Sequence, residues 1–185
     1  MLPAGASVAV GVSGGKDSLV LLVALARLRE FFPTPFSLTA ITLDPVFEGR
    51  QTDYSPVVSL CEELRVPYIV RRTRLWEVVF EERREANPCS LCARMRRGAL
   101  HAAAKEAGCR FVALGHHKND AAETFLMNLL AGGTLACFSP KSYLDRRDLT
   151  LIRPLIFAQE ADIARCAERA ALPVVKSRCP VDGCT

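Results

Sequence analysis

The six residues Ser13-Gly14-Gly15-Lys16-Asp17-Ser18 constrain this chain more than any others. They follow a short valine-rich stretch, residues 7–12, and run straight into an apolar-periodic segment, residues 17–31. The local order is therefore strand, tight glycine turn, helix. Two glycines let backbone N–H groups close round an anion, the start of the following helix favours negative charge, and Lys16 adds a point charge. Ser13 and Ser18 bring hydroxyl donors. The loop is neither of the two commoner glycine-rich types. Ser13 stands where a dinucleotide loop needs its second glycine. Val10 stands five residues before Gly15, where a Walker loop needs glycine, and Asp17 follows the lysine in place of Ser or Thr. A turn needing glycines for geometry alone is the plainer reading of any Gly-Gly pair, and the full string outweighs it.

Downstream, strand and helix signals alternate. Residues 37–43 and 67–70 read as strands, with a helix over 57–64 between them that Ser55 caps and Pro56 starts. A short helical stretch at 75–84 and a loop carrying Cys89 and Cys92 precede a helix over 93–107 that Gly108 stops. Residues 110–114 form a fourth strand, 120–130 a helix ended by Gly132-Gly133, 150–152 a short fifth strand and 160–171 a last helix. Residues 139–148 are expected as a mobile loop. This pattern predicts an α/β fold with a Rossmann-like parallel sheet and helices on both faces. Ligands of such sheets bind beyond the carboxyl ends of the strands, so the loops at 13–18, 44–49 and 115–120 should converge on one site.

With 185 residues, half of them hydrophobic, the chain suits one well-packed domain over residues 1–185. The net charge of +4 arises from nineteen arginines and five lysines against twenty acids. Guanidinium forks suit phosphate, and the cluster Arg94, Arg96 and Arg97 lies beside the cysteine pair. A general bias towards arginine explains the count equally well. No signal-length or membrane-length apolar run is seen, so a cytoplasmic protein without membrane attachment is expected. Of eight cysteines, Cys61, Cys109, Cys137 and Cys166 fall in apolar or helical surroundings and read as small core hydrophobes. Cys184 reads as a terminal thiol or a competing ligand.

Several residues near the expected site have two readings. Asp17 either faces magnesium and substrate or stabilises a helix start. Asp44 either holds ribose or magnesium or forms the turn before Pro45. Of His116 and His117, one should serve the site while the other caps or packs.

The glycine loop resembles the fingerprint of the PP-loop ATP pyrophosphatases. Beyond it, Cys89-Ser90-Leu91-Cys92-Ala93-Arg94-Met95-Arg96-Arg97-Gly98, Gly115-His116-His117-Lys118-Asn119-Asp120, Glu123-Thr124, Gly132-Gly133, Ile152-Arg153-Pro154-Leu155 and Cys179-Pro180 occur in the order seen in tRNA 2-thiocytidine synthetases. The resemblance covers nearly the whole chain. It implies an adenine nucleotide alpha hydrolase-like fold that grips ATP on Ser13, Gly14, Gly15, Lys16, Asp17 and Ser18. Adenine would lie along the main chain at Ile41 to Leu43, with Asp44, Gly115 and His116 beside the nucleotide. Lys16, Asp17 and Asp120 are the expected catalytic groups, with Mg2+ assisting. Asn119 stands where the family usually has an aspartate, which puts more weight on Asp120.

The implied reaction adenylates the C2 oxygen of a cytidine in the tRNA anticodon loop, after which sulfur displaces AMP. A four-iron four-sulfur cluster on Cys89, Cys92 and Cys179 is implied, with zinc as the alternative metal. Expected partners are tRNA, a sulfur donor system such as a cysteine desulfurase and a second copy in a homodimer. The family's flanking tRNA-binding extensions are expected to be absent. Two alternatives stay open: adenylation of another acceptor, and a non-catalytic nucleotide-binding module in which Cys89, Cys92, Cys179 and Cys184 close a zinc site.

Overall fold

The computed structural model describes residues 2–83 and 87–179. Its centre is β1 (Ala6–Gly11), whose Val8, Ala9 and Val10 are completely buried. A strand covered on both faces must be apolar throughout, and this one is. β1 pairs in parallel with β2 (Phe36–Asp44) on one side and with β4 (Phe111–Ala113) on the other. β3 (Tyr68–Arg72) lies outside β2, while β6 (Leu149–Ile152) and then β5 (Lys141–Leu144) lie outside β4. Only β5 runs antiparallel.

Helices cover both faces. α1 (Lys16–Phe31) and α2 (Ser55–Glu63) pack on one, where Leu19, Leu21, Leu22 and Leu25 meet Val8, Val10 and Leu38. α3 (Pro88–Glu106) covers the other through Ala103 and Ala104, against Ala9, Ile41 and Val112. Small residues at this second layer bring α3 close to the sheet. α5 (Glu160–Arg169) rests on α1 through Ile163, Ala167 and Val20, and α4 (Lys118–Gly132) follows β4. Among the described residues no helix is long and apolar enough to cross a membrane. The α/β expectation holds, and the topology gives it a direction. The chain leaves β1 to one side for β2 and β3 and returns to the other for β4. The carboxyl ends of β1 and β4 therefore border the crevice where such sheets bind ligands.

Three expectations need correction. The cysteine pair does not lie on a loop. Asn87 accepts a hydrogen bond from the N–H of Ser90 (3.1 Å) and Pro88 occupies the first turn, so α3 starts five residues early and takes in Cys89 and Cys92. An N-cap followed by N1 proline is a helix-start signal that the apolar periodicity had obscured. Residues 139–148 are not a mobile loop but the larger part of a β5–β6 hairpin. A turn over Asp145–Arg147 joins its strands, and Tyr143 donates to Asp148 Oδ1 at 2.9 Å. Ser55 is the first residue of α2, not its cap, a position held by Tyr54.

Candidate active site

A cleft of about 720 Å3 opens at the carboxyl ends of β1, β2 and β4, a volume typical of small-molecule sites. Its floor is the glycine loop. Ser18 is buried and holds this loop closed: its Oγ accepts from Ser13 N–H (3.1 Å) and donates to Gly15 O (2.8 Å). Ser13 Oγ in turn accepts from Gly15 N–H at 3.3 Å. The Ser18 hydroxyl is thus occupied in shaping the loop, whereas Ser13 is exposed at the cleft.

Two glycines are needed for close approach. Gly14 has φ +88°, and a Cβ on it would lie 3.0 Å from Val175 Cβ. This allows the segment 172–179 to cross the loop, where Val175 N–H bonds Gly14 O at 3.0 Å. A Cβ on Gly115 would meet the backbone carbon and oxygen of Asp17 at 3.1 Å. The β4 loop can therefore press directly on the first turn of α1.

Charge is arranged unevenly around this floor. Lys16 Nζ turns to Glu160 Oε1 (2.9 Å) and Asp17 Oδ2 (3.3 Å). Burial alone would lower its pKa, and these carboxylates outweigh it, leaving the ammonium above its ordinary value. Asp17 lines the cleft, and its buried Oδ1 has no aligned hydrogen bond but forms an ion pair with Lys16 Nζ at 3.1 Å, with His117 Nε2 3.8 Å away. A carboxylate oxygen facing a phosphate loop suits a hard cation such as Mg2+, which takes oxygen ligands.

The two histidines separate by role. His117 is buried and caps α4: its Nδ1 accepts from Asp120 N–H at 3.4 Å, while Asp120 Oδ2 accepts from His117 N–H at 2.8 Å. His116 lines the cleft beside Asp120, with its ring 5.1 Å from that of Phe138. Burial, and then Arg153, hold its pKa below the ordinary value, so the imidazole is neutral near pH 7. Arg153 lies 4.8 Å over the other ring of this contact, Phe138. Asn119 Oδ1 accepts from Glu160 N–H (3.2 Å), so the residue standing where an aspartate was expected caps α5.

The β2 side supplies an apolar wall of Ile41, Leu43, Pro45 and Phe47. Asp44 sits behind it, 1% exposed, and accepts from the N–H groups of Val46 (3.1 Å) and Thr52 (3.2 Å). These bonds secure a turn in which Val46 and Glu48 take left-handed backbone, at φ 52° and 50°. Such φ values are unusual for a β-branched residue. Of the two readings of Asp44, the turn-forming one is what the structure displays.

Opposite this wall the rim is basic, with Arg96 from α3 and Lys176 and Arg178 from the segment that crosses the loop. Cys89 and Cys92 share one face of the first turns of α3, and Arg96 Nη2 lies 3.7 Å from Cys92 Sγ. Cys179 directly follows Arg178 and is half-buried. All three thiols are free. Among the described residues, no three His, Cys, Asp or Glu side chains are gathered closely enough to hold a metal. The donor chemistry suits a soft metal, and the elements that carry it border one cleft.

The PP-loop domain pattern matches residues 3–177. The tRNA-cytidine(32) 2-sulfurtransferase of Pelobacter propionicus is 40% identical over 186 residues, covering 100% of this chain and 68% of that protein. The chain belongs to the PP-loop family. Within it, its relatives are the tRNA 2-thiocytidine synthetases, as its motifs implied.

Solved PP-loop structures agree. The U34-tRNA thiolase NcsA of Methanococcus maripaludis, determined with its [4Fe-4S] cluster, superposes with a TM-score of 0.77 at 30% identity, over 97% of this chain and 61% of that longer one. An NH3-dependent NAD synthetase from Campylobacter jejuni, at 19% identity and a TM-score of 0.53, shares the fold. It matches 90% of this chain and 64% of its own.

In this PP-loop protein the cleft gathers Ser13, Gly15, Asp17, Ser18, Leu43, Gly115, His116 and Asp120 as expected. Lys16 borders it, turned towards Glu160. Three features escaped the sequence. Glu160 read only as a helix start, the segment 174–178 carried no motif of its own, and the Phe138 contact to His116 spans 22 positions of chain. The thiol assignments divide. Cys61 and Cys109 are buried, and burial pushes the Cys61 thiol up to about 11. Cys137 and Cys166 are exposed, contrary to the core placement expected: Cys166 lies on the solvent side of α5, and Cys137 follows α4 in irregular chain, its thiol donating to Ala121 O at 3.3 Å. Cys184, the fourth thiolate of the alternative zinc site, lies outside the described residues.

Proposed function

We propose that this PP-loop protein uses ATP to adenylate the C2 oxygen of a tRNA anticodon-loop cytidine with release of pyrophosphate, and that sulfur then attacks C2 and displaces AMP. The observation that carries this reading is the convergence, on one cleft, of a closed phosphate loop and the two elements that bear Cys89, Cys92 and Cys179. Backbone N–H groups of the loop and the start of α1 receive the triphosphate. Lys16 leaves Glu160 for the phosphate oxygens, where its charge offsets that of the leaving pyrophosphate. Asp17, released when Lys16 turns to the phosphates, and Asp120 across the cleft would hold Mg2+, which supplies charge neutralisation there. Neutral His116 donates or accepts a hydrogen bond without adding charge. Ile41 and Leu43 provide the apolar wall for adenine.

Cys89, Cys92 and Cys179 would hold a [4Fe-4S] cluster. With three protein thiolates, such a cluster supplies one open iron position for exogenous sulfide. Arg96 and Arg178 flank the entrance and contact tRNA phosphates. The single domain acts in the cytoplasm, with a cysteine desulfurase as the expected sulfur source. Because the thiolase NcsA acts on U34, the identity of the base is the finer part of the proposal.

Anaerobic reconstitution followed by iron quantitation and a thiolation assay tests this reading. Cys89→Ala, Cys92→Ala and Cys179→Ala should each lose iron and thiolation while ATP still binds. Stoichiometric zinc without iron uptake in the parent protein would favour the non-catalytic zinc module instead.

A further inference from the structure

Arg94, Arg97, His101 and Lys105 recur at spacings of three and four along α3 and so share one side of the helix. No Asp or Glu occurs between Asn87 and Lys105. The turn at Asp145–Arg147 lies against this side of α3. Arg147 Nη2 is 3.9 Å from the point where a Cβ on Gly98 would stand, and Arg147 O accepts from Lys105 Nζ at 3.4 Å. Helix and turn therefore form one surface, to which the turn adds Arg146 and Arg147.

The charge of this surface is left uncompensated. Elsewhere exposed arginines meet acids, as in Arg27–Glu30, Arg71–Glu106 and Arg165–Asp162. Arg94, Arg97, Arg146 and Arg147 form no ion pair among the described residues, and Asp148 after the turn is engaged by Arg110 at 3.3 Å and by Tyr143. Buried groups report the resulting potential. His101 is almost fully buried and its Nε2 has no hydrogen-bond partner; burial, then Arg147 and Arg97, hold it below its ordinary pKa. At His116 and Arg153, beside the cleft, burial is the first cause of a lowered pKa and Arg97 adds to it. The positive strip thus begins at the cleft and runs outward along α3.

We infer that this surface holds the sugar–phosphate backbone of a paired RNA stem whose adjoining loop reaches the cleft. The inference rests on the reading that an RNA loop base enters the cleft, and adds where the rest of that RNA lies. Arg97 to Lys105 covers about 12 Å of helix. One strand of a duplex advances about 3.4 Å per nucleotide, so about three or four phosphates face the strip. Paired RNA is recognised by its shape and by phosphate and 2′-OH contacts, and exposed guanidinium forks supply the phosphate contacts without reading bases. An acidic protein would feel the same charge. However, α3 and the turn expose no large apolar side chain, and the centre of a protein interface is built from such groups.

Fluorescence anisotropy of the whole chain tests this without ATP or metal, using an RNA stem-loop with cytidine in its loop and the same loop as a single strand. The parent should bind the stem-loop more tightly. Arg146→Ala combined with Arg147→Ala should flatten the stem-loop's slope of log affinity against log salt by about 1.4–1.8, about 0.7–0.9 for each phosphate lost. Single-strand binding and the thermal midpoint should not change, and lysine at both positions should keep the slope. Arg27→Ala with Arg169→Ala, an equal loss of charge on α1 and α5 over the opposite face, should leave it intact. Uridine in place of the loop cytidine should alter none of these values, so an error in the base assignment leaves the test standing. An unchanged stem-loop slope in the Arg146 and Arg147 alanine variant would overturn the inference even where thiolation is normal. So would equal flattening in the Arg27 and Arg169 variant, a parent that binds the single strand as tightly as the stem-loop, or polyglutamate competing as well as unlabelled stem-loop.

Discussion

Lys16 Nζ lies 2.9 Å from Glu160 Oε1, which ties the phosphate loop to the start of a helix 144 residues away. The carboxylate occupies the ammonium that a nucleotide phosphate would claim, so ATP and Glu160 compete for one charge. Lys16 and Glu160 are 33% and 46% exposed, and solvent screening keeps the contribution of such a pair small. Glu160→Gln is therefore expected to tighten ATP binding by no more than about fivefold. Lys16→Ala should weaken it by about tenfold or more, since charge-assisted bonds contribute about 1.5–3 kcal/mol. Isothermal titration calorimetry of both variants measures this. Weaker binding in Glu160→Gln would mean that the carboxylate positions Lys16 for ATP instead of competing for it.

His101 and His116 set a pH window for stability. His101 is 4% exposed and its Nε2 has no hydrogen-bond partner. Burial, with Arg147 and Arg97 nearby, holds its pKa below the ordinary value of 6.5, and His116 is displaced in the same direction. A depressed histidine takes up its proton more readily in the unfolded chain, so stability should fall as pH drops through 6.5 and level off once the folded groups protonate. The carboxylates of Asp53, Asp148 and Glu160 are also depressed, but their contribution is lost only at lower pH. Thermal melts between about pH 5 and 8 should show the decline in the parent protein and a flatter profile in His101→Leu.

The sequence made the sheet legible because its strands are apolar runs set between glycine or proline signals. The phosphate loop was legible because six residues in series define it. What escaped had other physical sources. The early start of α3 rests on one side-chain bond from Asn87, which no periodicity reports. The hairpin at 141–152 depends on pairing along the sheet edge, and Tyr143 and Asp148 show no pattern until they meet. Glu160 and residues 174–178 reach the cleft only through tertiary packing. Asp44 and the histidine pair were visible as candidates, but the donors that separate a turn from a ligand are backbone groups, which a sequence does not display.

Gly115 offers a test of packing between the β4 loop and α1. A methyl group there would meet the Asp17 backbone at 3.1 Å and the Ser18 nitrogen at 3.2 Å. Gly115→Ala should displace the phosphate loop by a few tenths of an ångström and lower AMP formation by up to about tenfold, short of the roughly 10²-fold that a full misplacement of about 1 Å costs. The thermal midpoint should change little. Near-normal turnover in this variant would show that the two loops need not touch.

The basic rim predicts a salt signature. Replacing Arg96 and Arg178 with alanine removes two cations from the cleft edge. For every phosphate that a replaced arginine had neutralised, the slope of log affinity against log salt should flatten by about 0.7–0.9. Filter binding of tRNA over a salt series measures it. An unchanged slope would place these side chains on a solvated rim.

The most direct test of ATP-dependent thiolation is a single-turnover reaction under anaerobic conditions, with reconstituted protein, tRNA, sulfide and ATP. Nucleotide products and tRNA nucleosides would be quantified together by mass spectrometry. AMP and 2-thiocytidine should form in equal amounts, and both should vanish in Lys16→Ala. ADP as the nucleotide product, or thiolated nucleoside formed without ATP, would contradict adenylation at the PP-loop.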